Sequence, residues 1–210
     1  MKRFFKPVIA TLMAAACVCG ASAADPYKVR VQLSEDEEGA MVYMINFDTK
    51  TKIDSVIVAD KVAMFKGSID EPVLARILLD GQPAGTFILE SGSIVVDPMK
   101  GRVFGSMLND KLAEFGSASS AMAERYSATD DIEAKKQIYE EYSNLVNTTM
   151  ADNIDNPLGY YLFIDSASGM DIDEFNGWLK KYPELANYPV SFRHLRAHET
   201  RGMGVGMWCL

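Results

Sequence analysis

Between Phe87 and Phe115 the chain changes its repeat: apolar residues recur in short β-branched runs before this stretch and at helical spacing after it. Strand-like runs followed by helical runs, with no strand–helix alternation, predict an α+β fold. The expected architecture is an N-terminal antiparallel β-sheet or sandwich-like domain over 24–106, followed by an all-helical segment of four to five helices over 107–200. Within the stretch, 87–90 and 93–97 read as the arms of a hairpin reversing at Ser91-Gly92. Lys100-Gly101 turns the chain again, Arg102-Val103-Phe104 forms a last short strand, and Gly105-Ser106 hands over to the helix that starts near Leu108. On this reading, substitutions at Gly92 or Phe104 damage folding.

The strands ahead of this handover follow from local pattern. Tyr27, Val29, Val31 and Leu33 alternate with Lys28, Arg30 and Gln32, the signature of a strand with one wet face. Residues 41–47 and 53–59 flank the polar turn Asp48-Thr49-Lys50-Thr51. A short strand over 62–65 is expected to end at Lys66-Gly67, and one over 73–79 at Asp80-Gly81. The acidic run 34–39 reads as a solvated turn.

Past Ser106, Leu108, Leu112, Phe115, Met122 and Tyr126 share a helical face, with Gly116-Ser117 as the expected kink. Thr129-Asp130 or Asp131 caps a second helix whose face comprises Ile132, Tyr139, Tyr142, Val146 and Met150. Asn156-Pro157 opens a third helix and Asp171, with Glu174 three residues on, a fourth. Residues 191–199 form a short fifth helix, and 201–210 an irregular glycine-rich tail, read as the out-of-frame end of a truncated gene.

The first 23 residues have the layout of a secretory signal: Lys2, Arg3 and Lys6, an apolar run over 7–18, and the small-x-small site Ala21-Ser22-Ala23. The apolar run is shorter than the roughly 20 residues that span a bilayer. The expectation is export to the periplasm with the mature chain starting near Ala24. A competing reading makes Cys17, after Ala14-Ala15-Ala16, a lipid-anchored N-terminus in the outer membrane. Soluble release is preferred, because the usual large aliphatic residue three places upstream of the cysteine is missing.

Without that segment, 18 Lys and Arg face 29 Asp and Glu, a formal net charge of −11 against −8 for the whole chain. Such a balance argues against nucleic acid and anionic membranes as partners. Two of the three cysteines lie in the leader, so only Cys209 remains, which excludes an internal disulfide and a Cys-x-x-Cys pair.

No constellation of catalytic, cofactor-binding or metal-ligating residues emerges from the pattern. His194 and His198, at i and i+4, share a helical face, but Arg193 and Arg196 flank them with opposing charge, and a solvated face is the preferred reading. The acidic clusters 35–38 and 171–174 lack the order of a calcium loop. The aromatic set Tyr139, Tyr142, Tyr160, Tyr161, Phe163, Phe175 and Trp178 suits core packing, with a peptide or sugar groove as the alternative. Cys209 has neither a histidine partner nor a helix N-terminus behind it to lower its pKa. Serine-nucleophile and phosphate-loop signatures are absent.

The ordered set Ile53-Asp54-Ser55, Met64-Phe65-Lys66-Gly67, Glu71-Pro72 with Ala75-Arg76, the run 87–94 and Gly105-Ser106 with Leu108-Asn109 resembles a domain of unknown function. That domain lies at the N-terminus of secreted thioredoxin-like proteins of the bacteroidete type, and the resemblance spans 27 to about 199. It implies a β-sandwich-like domain with helices, ahead of a peroxiredoxin or thiol:disulfide interchange module carrying Trp-Cys-x-x-Cys. Two departures stand out: Asp60-Lys61-Val62 occupies a turn where the family places glycine, implying a looser or differently typed hairpin, and the chain stops where the thioredoxin module would begin. Trp208-Cys209-Leu210 matches only the start of the redox motif. The function expected is that of a non-catalytic periplasmic accessory or binding domain, with an unidentified protein or peptide partner and no cofactor. The alternative is a thiol:disulfide oxidoreductase, truncated or working through Cys209.

Overall fold

The computed structural model describes residues 24–167 and 169–187. Eight strands precede four helices: β1 (Asp25–Gln32), β2 (Met41–Asn46), β3 (Lys52–Ile57), β4 (Val62–Ile69), β5 (Val73–Leu79), β6 (Gln82–Leu89), β7 (Gly92–Asp97), β8 (Arg102–Phe104), α1 (Met107–Ser127), α2 (Ile132–Asp152), α3 (Pro157–Ala167) and α4 (Ile172–Lys181). They form two four-stranded sheets, sheet A in the order β4-β1-β7-β8 and sheet B in the order β3-β2-β5-β6. The fold is α+β, as expected from the change of repeat.

Alternation places the cores. Val29 and Val31 of β1, Ala63 and Phe65 of β4, and Ile94 and Val96 of β7 meet Val42, Met44, Ala75, Ile77, Phe87 and Leu89 of sheet B in one apolar layer. Neighbouring residues on sheet B point the other way: Leu74 and Ile88 join Leu108, Phe115, Val146, Met150, Leu158 and Phe163 in a second core beneath the helices. Sheet B is thus covered on both faces where the helices lie.

Two strand expectations change. Ser91-Gly92 is a crossover between sheets rather than a hairpin, because β6 pairs with β5 whereas β7 pairs with β1 and β8. Phe87 and Leu89 on one side of the corner and Ile94 and Val96 on the other all face the same core. The β1–β7 pairing is parallel, so sheet A is mixed rather than purely antiparallel. Lys66-Gly67 is no turn, since β4 continues to Ile69 and Gly67 sits opposite Tyr27. A Cβ at Gly67 would stand 2.5 Å from the Tyr27 hydroxyl, so the glycine makes room for the ring. Of the two positions expected to be critical, Gly92 adopts a φ of 106° that disfavours side chains, whereas Phe104 is 40% exposed and contributes little to either core.

The turn at Asp60-Lys61 is tight despite lacking glycine. Both residues take left-handed φ values, 55° and 62°, between the bridged residues Ala59 and Val62. The two oxygens of the Glu38 carboxylate accept the Asp60 and Lys61 amides at 3.1 and 3.0 Å, and Lys61 pairs with Glu35 at 2.6 Å. The acidic run therefore clasps the turn. Glu38→Ala is expected to lower stability by about 1 kcal/mol, and Lys61→Gly to raise it by about 0.5–1 kcal/mol by relieving the left-handed lysine. Chemical denaturation reads both.

In the helical half, Asp131, Asn156 and Asp171 cap α2, α3 and α4, accepting amide hydrogens at 2.9, 3.0 and 2.8 Å. α1 runs through Gly116-Ser117 as one helix. On α2, Ile132 and Tyr139 are exposed and Ile138 is buried in their place, so the packed face comprises Ile138, Tyr142, Leu145, Val146 and Met150. Ile132 stands five full turns before Met150 and Tyr139 about two turns before Val146, so all share one face; Ile132 and Tyr139 are exposed because α2 meets the core beneath the helices only from Tyr142 onward. The expected fifth helix over 191–199 lies outside the described residues.

A buried polar cluster fastens the two halves. One oxygen of Glu90 accepts from the Ser106 hydroxyl (2.7 Å) and the Leu108 amide (2.7 Å), placing a carboxylate at the N-terminus of α1. The Asn109 side chain donates to the Ile88 carbonyl at 2.6 Å and accepts the Ile88 amide at 3.0 Å. It thereby occupies the hydrogen-bonding position of a further strand at the edge of sheet B.

Candidate functional site

His194, His198 and Cys209 lie outside the described residues, as do Cys17 and the leader. The predicted aromatic set divides. Tyr160, Phe163 and Phe175 are buried, with Phe163 and Phe175 stacked at 5.2 Å, whereas Tyr139 faces solvent. Trp178 stacks on Tyr182 at 5.2 Å beside a shallow, open depression that Asn147, Asp152 and Lys181 also line. Most of the set is thus core, and no enclosed groove forms from it. Of the acidic clusters, one clasps a turn and the other caps α4. Among the described residues no group of three His, Cys, Asp or Glu side chains is placed to hold a metal ion, and no helix is long and apolar enough to cross a membrane.

Two features stand out instead. The first is the outer face of sheet A. Because Val29 and Val31 point into the core, Lys28 and Arg30 point out; the register sets Lys28 opposite Lys66, Arg30 between Met64 and Val95, and Val95 beside Phe104. Arg102 adds a fourth cation and lies 5.9 Å from the Phe104 ring centre. The result is an exposed basic sheet surface on which Val95 and Phe104 lie side by side and Met64 stands across Arg30 from them. Its one acid, Asp97, is occupied by Lys100 and the Lys100 amide. None of Lys28, Arg30, Lys66 and Arg102 forms an ion pair with another described residue, and two like charges directly opposite each other are unfavourable in a sheet. Alternation in β1 reveals Lys28 and Arg30 in the sequence, but only the strand pairing brings Lys66 and Arg102 beside them.

The second is a notch at the seam between sheet B and α3. Phe47 lies under two cations, with Lys50 Nζ 4.3 Å and the Arg76 guanidinium carbon 4.4 Å from its ring centre. Arg76 donates from Nε to the Thr86 hydroxyl at 3.1 Å, and Lys50 donates to the Phe47 carbonyl. Asp48, the nearby acid on the same turn, accepts from the Tyr160 hydroxyl at 2.7 Å. Partial burial lowers the pKa values of Arg76 and Lys50, the latter lowered further by the positive charge of Arg76. Burial raises Tyr161 on the neighbouring helix, as does the charge of Asp165. Sequence pattern gives no sign of this notch, because Phe47 and Lys50 come from a turn and Arg76 from a strand 26 residues beyond Lys50.

No curated protein matches the chain. Residues 27–112 match the family described as a domain of unknown function (DUF4369), a span that takes in all of β2–β8 and the first turns of α1 and is narrower than the 27–199 expected.

Proposed function

We propose that the chain is an exported, non-catalytic accessory module that binds and positions a protein partner carrying an acidic surface, through the outer face of sheet A. The observation that carries this reading is the concentration of Lys28, Arg30, Lys66 and Arg102 on one sheet face of an acidic chain, interleaved with Met64, Val95 and Phe104. Facing cations without neutralising partners are unfavourable in isolation, and an acidic surface removes that repulsion. Met64, Val95 and Phe104 supply apolar area that a purely electrostatic contact lacks. Export to the periplasm rests on the layout of residues 1–23. The resemblance to domains that precede thioredoxin-like modules supports an accessory role and makes such a module the first partner to try.

The reading is tested by titrating the chain from Ala24 onward with a fluorescent peptide rich in glutamate and leucine, following anisotropy. Lys28→Glu/Arg30→Glu is expected to weaken binding about tenfold or more and to flatten its salt dependence. Both positions are exposed and the double variant keeps its fold, which circular dichroism checks. Equal affinity in the double variant sinks the proposal.

A further inference from the structure

We propose that the notch formed by Phe47, Lys50 and Arg76 binds a carboxylate, with the Arg76 guanidinium as its fork and the Lys50 ammonium as a second donor. Arg76 commits only Nε to the protein, to Thr86, so both terminal nitrogens are open to a planar acceptor. Two like charges converge on one aromatic ring 4.3 and 4.4 Å away, and neither forms an ion pair with another described residue. The neighbouring acid, Asp48, receives the Tyr160 hydroxyl and forms no ion pair with either cation, although its charge acts on Lys50. Lys50 also occupies a left-handed backbone position, φ 59°, where glycine or asparagine is the unstrained choice. A lysine placed at such a turn position, over the same ring as an arginine, gives an anion two cations to engage.

The charge count favours a carboxylate over a phosphate: Arg76 and Lys50 carry two positive charges and Asp48, whose charge acts on Lys50, carries one negative, so the notch holds one net positive charge. A carboxylate neutralises that charge through the Arg76 fork, whereas a phosphate dianion exceeds it. The carboxylate has two sources, an acidic side chain or the free C-terminus of a chain, and the chemistry at Arg76 is the same for both. This site is separate from the outer face of sheet A and does not depend on the function proposed for that face.

The test uses three probes against the chain from Ala24 onward: a short amidated peptide with one glutamate, a short peptide with a free C-terminus and no acidic side chain, and inorganic phosphate. Binding is followed by the NMR signals of the Arg76 guanidinium and the amides of Phe47 and Lys50. At least one peptide is expected to shift these signals saturably, and which one does so identifies the source. Arg76→Gln is expected to weaken that binding by about tenfold or more, and Lys50→Gln by about fivefold. Lys50 is exposed, so its variant keeps the fold and the result stands even if Arg76→Gln unfolds. Lys136→Gln, at an exposed position of α2 outside both surfaces, is expected to leave this binding unchanged. Binding of phosphate alone, no binding of either peptide, or unaltered affinity in Lys50→Gln and in a folded Arg76→Gln overturns the proposal.

Discussion

Asn109→Ala is expected to lower the stability of the chain by about 3–4 kcal/mol, a large share of what a domain possesses. Asn109 is fully buried and satisfies both backbone groups of Ile88, itself fully buried in the core beneath the helices. Alanine leaves an amide and a carbonyl without partners where water does not reach, each worth roughly 1–3 kcal/mol. It also removes a donor to the Ser106 hydroxyl at 2.8 Å and loosens the start of α1. Glu90 provides the contrast. Glu90→Gln retains an oxygen able to accept from Ser106 and Leu108 and gives up only the charge at the helix N-terminus, so a loss of about 1 kcal/mol is expected. Glu90→Ala strands those donors and approaches the Asn109→Ala loss. Urea unfolding of the three variants checks the order, and stabilities of Asn109→Ala and Glu90→Ala near wild type would show that the cluster does not fasten the two halves.

Gly159→Ala is expected to cost about 3 kcal/mol and to release the start of α3 from the end of α2. The Gly159 amide donates to the Asn153 carbonyl at 3.1 Å, and a Cβ would fall onto that same oxygen. Backbone stands on both sides of this contact, so no side chain can swing away to relieve it. Gly116, inside α1 with open space around its Cα, is the internal control: Gly116→Ala is expected to stabilise by about 0.5–1 kcal/mol through helix propensity. Thermal melts of the pair should move in opposite directions. A Gly159→Ala protein that melts with wild type would mean that α2 and α3 do not approach this closely.

Which parts of this architecture are legible in the sequence follows from how far apart the deciding atoms are. Capping is local, and Asp131, Asn156 and Asp171 each announce their helix because the acceptor and the amides it satisfies lie within three residues. Asp80-Gly81 likewise marks its hairpin, with both φ values positive and β5 paired to β6 across it. Ser91-Gly92 carries the same kind of turn signal yet connects two sheets, because what distinguishes a hairpin from a corner is where each arm finds its partner. The role of Asn109 depends on Ile88, 21 residues back, and nothing nearby distinguishes it from a helical asparagine. The same reasoning applies to the candidate sites. The wet face of β1 is visible as Lys28 and Arg30, while the basic surface requires β4 and β8 to be set beside it, and the notch requires a turn, a strand and a helix to converge.

The most direct test of a binding module working through sheet A is an amide shift map of the chain from Ala24 onward, titrated with the glutamate- and leucine-rich peptide. The prediction is that the largest shifts fall on β1, β4, β7 and β8, centred on Lys28, Arg30, Lys66 and Arg102, and shrink as salt is added. Shifts confined to the helices or to sheet B, or none that saturate, would contradict it.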